Sequence, residues 1–180
     1  MSSKVTVPIA LRVFQAFFAI VVLGLAIGLI RGHMEGDLPA TLVFIAAVGA
    51  LSLLAAIIGA AASFVDFLHD QVGVVVDSVV LLLNIAGGIL MATKLKGVSC
   101  KLKGIDFKHF VHLIENKIIC GGIKKSRQCP WSCYYFDKRN FKTIERRCRE
   151  SVADSTFMFL TAVMLIAGGT LTYMRMKKAH

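Results

Sequence analysis

The chain has 180 residues, of which 56% come from the set AVILMFWYC and only 18% are charged, with a mean hydropathy of +0.70 and a formal net charge of +10. A soluble domain of this size lacks the polar surface to cover so much hydrocarbon, and the same composition excludes disorder, a collagen-like repeat and a small disulfide-rich toxin. The length allows one domain, residues 1–180, and much of it has lipid for a solvent.

A hydrocarbon core about 30 Å thick takes about 20 apolar residues in helical form. The first stretch that meets this runs over 9–30, with Arg12 and Gln15 near its start. Its apolar run, Val13 to Ile30, exceeds the roughly 7–15-residue core of a secretory signal peptide, so it reads as a retained helix. The second, 38–65, carries no charged residue; the third, 72–93, carries one acid, Asp77; the fourth covers 155–174. Connections 31–37 and 66–71 are so short that the first three helices are expected to be antiparallel neighbours. The fold class that follows is all-α and integral to a membrane: a four-helix transmembrane bundle with a long cysteine-containing loop, 94–154, between helices three and four.

Polar residues inside the spans come next. Arg12 and Asp77 enter the bilayer from the same side at similar depth, so an ion pair between them is allowed. A structural pair, or an arginine snorkelling to headgroups, stands against a proton or ion relay. Offsets of 7 and 11 residues put Asp77, Asn84 and Gly88 on one helix face, together with Leu81. That face suits helix contact, with Asn84 hydrogen-bonding a neighbour at mid-membrane and glycine permitting close approach. Small residues recur in Gly24-x-x-x-Gly28, around Gly59 and at Gly168-Gly169. They serve packing within the bundle or lateral self-association.

The loop holds the charge. From Lys94 to Glu150 there are 15 Lys/Arg and 5 Asp/Glu, against 6 and 6 in the rest of the chain. Because the segment is tethered to a membrane at both ends, lipid headgroups are its nearest polyanion, and anionic lipid rather than nucleic acid is the expected partner. Phe107, Phe110, Val111, Ile114 and Ile118 form one stripe of an amphipathic helix opened by Asp106 and expected on the interface or over the bundle mouth. His109, His112 and Glu115 are spaced by three, but nothing supplies partner ligands, and no metal is expected.

All five cysteines (Cys100, Cys120, Cys129, Cys133 and Cys148) lie in this loop, which suits an oxidising lumen or exterior and leaves one thiol over. Cys129-Pro-Trp-Ser-Cys133 has a three-residue spacer, which favours a short structural bridge over thiol catalysis. Sidedness signals conflict. A literal positive-inside count puts the loop in the cytosol, whereas Lys4 and Arg12 before the first helix, set against Glu35 and Asp37 after it, favour cytosolic termini. The cysteines tip the balance to a loop outside. Lys177 and Lys178 near the C-terminus form either a dilysine retrieval signal or a positive anchor after the last helix. There is no N-glycosylation site, phosphate loop, zinc-protease helix or nucleophile elbow, so no catalytic residue, cofactor or small-molecule substrate is expected.

Two further features carry a resemblance. The third span ends in Lys94-Leu-Lys96-Gly-Val-Ser99-Cys100, and the fourth is announced by Arg147-Cys148-Arg149-Glu150-Ser-Val-Ala-Asp154-Ser-Thr-Phe157. With four short-looped spans, these resemble MARVEL-domain membrane proteins of the fungal type, similar to the yeast non-classical export and eisosome-organising protein. The resemblance implies cytosolic termini, an outer third-to-fourth loop, and residence in the plasma membrane or early secretory membranes. It also implies a role without catalysis in membrane microdomains, apposition or trafficking. A bridge between Cys100 and Cys148 follows from the matching positions; it would clasp the loop at its base and stabilise by about 4 kcal/mol. Tetraspanins fit worse, since Cys120-Gly121-Gly122 has one cysteine where their motif has two. Claudins place their pair in a first outer loop that here has only seven residues.

The leading expectation is therefore a membrane organiser that packs laterally with itself, with lipids such as anionic lipid or sterol, or with other membrane proteins. The rival is a transporter or proton-coupled channel using Arg12, Asp77 and Asn84. A third reading is a thiol oxidoreductase using Cys129 and Cys133.

Overall fold

The computed structural model describes residues 3–33, 38–62, 70–100, 113, 116–120 and 138–179. They form α1 (Ser3–Arg31), α2 (Ala40–Ala62), α3 (Asp70–Lys94), a four-residue α4 (Lys117–Cys120) and α5 (Lys138–Ala179), with no strand among the described residues. Four segments are long and apolar enough to cross a membrane: Ile9–Arg31, Ala40–Ala61, Gly73–Lys94 and Lys142–Met174.

The ends of these helices have local causes. Pro39 lies just ahead of α2, its carbonyl accepting from Leu42 N–H at 2.9 Å, so the helix starts at Ala40 rather than Leu38. Beyond α3, Gly97 has φ +79°, a left-handed conformation that costs glycine little, and the chain turns there to bring Cys100 back to the bundle. α5 differs most from expectation: its helix begins at Lys138, not Ser155, and is 42 residues long. The charged stretch before the span stays helical because Glu145 pairs with Arg149 and Arg146 with Glu150, both one turn apart on the exposed side. The opposite face is buried at Ile144, Arg147, Cys148 and Ser151. Hydropathy reads the solvent of that stretch, not its backbone.

The expected amphipathic helix opened by Asp106 lies mostly outside the described residues. Of its stripe, Ile118 is described and belongs to α4. α4 is capped by Asn116, whose Oδ1 accepts from Ile118 N–H at 3.0 Å.

α1 packs on α2 and α5, and α3 packs on the same two helices, so α1 and α3 face each other across the diagonal of the bundle. The core fills the half nearest the long loop. Val22, Ala26 and Leu29 of α1, Leu42, Ile45 and Val48 of α2, Met91 of α3 and Met158 of α5 are buried together, continuous with Ile118, Ile119 and Ile144. Neighbouring helices come close at a few glycines, through backbone at Gly49 and through side chains at Gly87 and Gly88. A Cβ on Gly49 would stand 3.0 Å from Leu23 N, one on Gly88 would stand 3.0 Å from the Phe159 ring, and the Met158 methyl occupies the space a Cβ on Gly87 would need. Outward faces are apolar, with Val13, Phe17, Ile20, Leu54, Leu82 and Val163 more than half exposed.

Candidate functional site: polar contacts inside the bundle

Polar side chains that would be costly in lipid are gathered inside the bundle at three levels. The first lies near the start of α1. Arg12 reaches across the diagonal to Asp77, Nη1 donating to Oδ1 at 2.7 Å and Nη2 to Oδ2 at 2.5 Å. Nη1 also donates to Oε1 of Gln15, three residues on and on the same helix face, at 3.0 Å. A forked, charge-assisted pair of this kind fixes both orientation and distance. Gly59 of α2 makes room for it, since a Cβ there would stand 2.6 Å from Arg12 Cζ. A cavity of about 60 Å³ adjoins the pair, lined by Arg12, Gln15 and Asp77 and by Leu165, Gly168 and Leu171 among others.

The second level is at mid-membrane. Asn84 Nδ2 donates to Ser52 Oγ at 2.8 Å and to Val80 O at 2.9 Å, tying α3 to α2. Ser52 was not singled out in the sequence. It is the single polar side chain between Leu42 and Ala62, and it stands half-way along α2 as Asn84 stands along α3.

The third level joins α5 to the loop-side ends of α1 and α3. Ser155 Oγ donates to Gly88 O at 3.1 Å. Arg147, buried at 3% exposure, donates from Nη2 to Leu29 O at 3.0 Å and Ile118 O at 3.3 Å. Leu29 O is among the last carbonyls of α1, which have no partner inside the helix, and a cation there also complements the helix dipole. Asn116 Nδ2 does the same for Lys94 O of α3, at 2.7 Å. Gly32 lets Arg147 approach, a Cβ there falling 3.1 Å from its Nη1. Beside it Cys100 and Cys148 form a disulfide, Cα–Cα 5.5 Å, fastening the chain just past α3 to α5. Asp154 is fully buried, and neither carboxylate oxygen has a hydrogen-bond partner among the described residues.

The remaining sequence-derived candidates fall as follows. Gly88 is buried against Phe159, and Gly59 lies inside against Arg12. Gly24 and Gly28 face outward, with nothing within 4 Å of where a Cβ would stand. Lys177 is exposed near the end of α5, and the side chain of Lys178 lies outside the described residues. Cys129, Cys133, His109, His112 and Glu115 also lie outside them. Among the described residues no three His, Cys, Asp or Glu side chains are grouped to hold a metal ion. Arg147 and Gln15 make contacts, and Asp154 has a burial, that hydropathy alone did not assign. Their signal was periodicity: Arg147, Ser151, Asp154, Ser155 and Met158 share one face of a helix once α5 is extended upstream.

Chemically, the arrangement joins helices. No curated protein and no solved structure matches the chain. A family model does match, over residues 4–171: MARVEL, described as a membrane-associating domain. The match takes in all four spans, the inward polar contacts between them and the disulfide at their loop-side mouth, and the chain therefore belongs to the MARVEL family of integral membrane proteins.

Proposed function

We propose that this chain is a non-enzymatic organiser of membranes, of the fungal MARVEL type, that gathers copies of itself and neighbouring lipids or membrane proteins into patches. The observation that carries the reading is the outward pair Gly24 and Gly28, about one turn apart on the lipid side of α1 with open space beside both. Around them Phe17, Ile20 and Ile27 are exposed, so a second helix can approach the α1 backbone closely there. Supporting it, the four spans have only 22–39% of their residues buried within the chain, which leaves most of their apolar surface for lipid or a neighbour. The buried polar groups are turned inward, and Arg12 with Asp77 and Asn84 with Ser52 are matched to one another.

The disulfide supports an orientation with the 94–154 loop in the lumen or exterior and the termini in the cytosol, since such bonds persist in oxidising compartments. That orientation is compatible with the plasma membrane or early secretory membranes, and it leaves Lys177 and Lys178 on the cytosolic side. The basic loop then faces headgroups of the outer or lumenal leaflet.

Chemical crosslinking of the full chain in native membranes tests the reading. Wild type is expected to give dimers and higher species, and the double substitution Gly24→Leu/Gly28→Leu to lower their yield at least fivefold while leaving the disulfide intact. Monomer alone at every expression level would contradict it.

A further inference from the structure

We propose that the cavity beside Arg12 and Asp77 is a binding site for the hydroxyl end of an uncharged lipid. This goes beyond lateral association and does not depend on it.

Charge sets the class of ligand. The guanidinium and the carboxylate cancel, so the cavity presents donors and acceptors without net charge. A lipid phosphate would trade part of Asp77's hold on Arg12 for a second negative charge beside that carboxylate, and an ammonium group would trade part of Arg12's hold on Asp77 for a second positive charge beside the guanidinium. Neither exchange gains anything in a medium of low dielectric. An uncharged polar group leaves the pair whole.

Hydrogen-bond bookkeeping narrows it further. Gln15 is 3% exposed, and its Oε1 is held by Arg12 while its Nε2 has no partner among the described residues. Each oxygen of Asp77 accepts one bond from Arg12 and retains a lone pair. The cavity therefore sits between an unused donor and an unused acceptor. A hydroxyl serves both, accepting from Gln15 and donating to Asp77, whereas an ester carbonyl only accepts.

Size and surroundings agree. About 60 Å³ is room for roughly four water-sized groups. A hydroxyl and the first carbons behind it fit, and a phosphocholine headgroup does not. The other walls are Leu11, Leu165 and Leu171, with open space over Gly168, where a Cβ would meet no atom within 4 Å. The Thr172 hydroxyl is already spent on Gly168 O. Asp77 lies four residues inside the span Gly73–Lys94, about 6 Å along the axis, which puts the polar end at the headgroup edge of the hydrocarbon. A sterol and a diacylglycerol both present this chemistry.

The test uses the full chain in phosphatidylcholine nanodiscs with four diazirine photoprobes: a sterol, a diacylglycerol, a phosphatidylcholine and a phosphatidylserine. At least one hydroxyl probe is expected to label peptides around Leu11–Gln15 or Gly168–Thr172 at least fivefold above the two phospholipid probes, and its acetate ester to lose that excess. Which of the two labels identifies the source. Gly168→Leu, which fills the open space, is expected to abolish the excess and Gly168→Ala to reduce it in part. Gly169→Leu, one residue along with equally open surroundings, leaves it unchanged. Helix content and the Cys100–Cys148 bond report folding of each variant. Gly24→Leu/Gly28→Leu is expected to label as wild type does, so a failure of lateral association is separable from a failure of this site. Equal labelling by all four probes, which would mean that the cavity holds water only, overturns the proposal. So does preference for phosphatidylserine, or labelling indifferent to Gly168→Ala and Gly168→Leu.

Discussion

Asp77 and Asp154 are both buried acids, but Asp77 is held by a forked guanidinium while Asp154 has no hydrogen-bond partner among the described residues. Their neutral isosteres should therefore act in opposite directions. Asp77→Asn strands the charge of Arg12 inside the bundle and is expected to cost about 3 kcal/mol. Asp154→Asn removes an uncompensated buried carboxylate without changing its shape and is expected to leave stability unchanged or raise it. Denaturant unfolding of the two variants in detergent micelles decides this, and a loss of similar size in both would refute it. Gly59→Ala should weaken the same pair but cost less than Asp77→Asn, because its new methyl group crowds the end of a flexible side chain that can shift. The two substitutions combined should cost clearly less than their sum, since both break one interaction. Arg12 and Asp77 were legible from sequence because charges in hydrocarbon stand out. Gln15 and Ser52 were not, since a lone amide or hydroxyl in a span gives no hint of which neighbour it meets.

At the scale of elements, α5 separates what hydropathy reveals from what it hides. Its 42 residues extend about 63 Å, roughly twice the hydrocarbon core. The apolar half was read as a span from composition. The charged half was read as loop, since a window average cannot see that its apolar positions recur at helical spacing. The four spans themselves were legible because about 20 apolar residues in a row have few alternatives. The mouth of the bundle was legible in part: the Cys100–Cys148 pairing came from resemblance, while the fastening of α1 and α4 by Arg147 required the fold. The disulfide closes a separation of 48 residues, and Cys148→Ser is expected to cost about 4 kcal/mol by the chain-entropy account. Hydrogen exchange should then quicken at Lys117–Ile119 and Lys142–Ser151, the segments held beside it, and change little at Ser52 and Asn84. Unchanged exchange at the mouth would show that the bond contributes nothing there. Arg147→Lys is expected to quicken exchange around Leu29 and Ile118, because the shorter lysine side chain ends before the position of Nη2, the nitrogen that reaches both carbonyls.

As a whole molecule, the protein is a bundle that satisfies most of its polar groups internally and gives its hydrocarbon surface to the bilayer. The account rests on four crossings with one basic loop on the oxidising side, clasped at its base. The most direct test is accessibility of Cys100 and Cys148 to a membrane-impermeant maleimide in intact cells, in a chain carrying Cys120→Ser, Cys129→Ser and Cys133→Ser. The account predicts no labelling until reductant is added, and then labelling of the partly exposed Cys100, ahead of the buried Cys148, without permeabilisation. Labelling before reduction, or labelling that requires the membrane to be opened first, would contradict it.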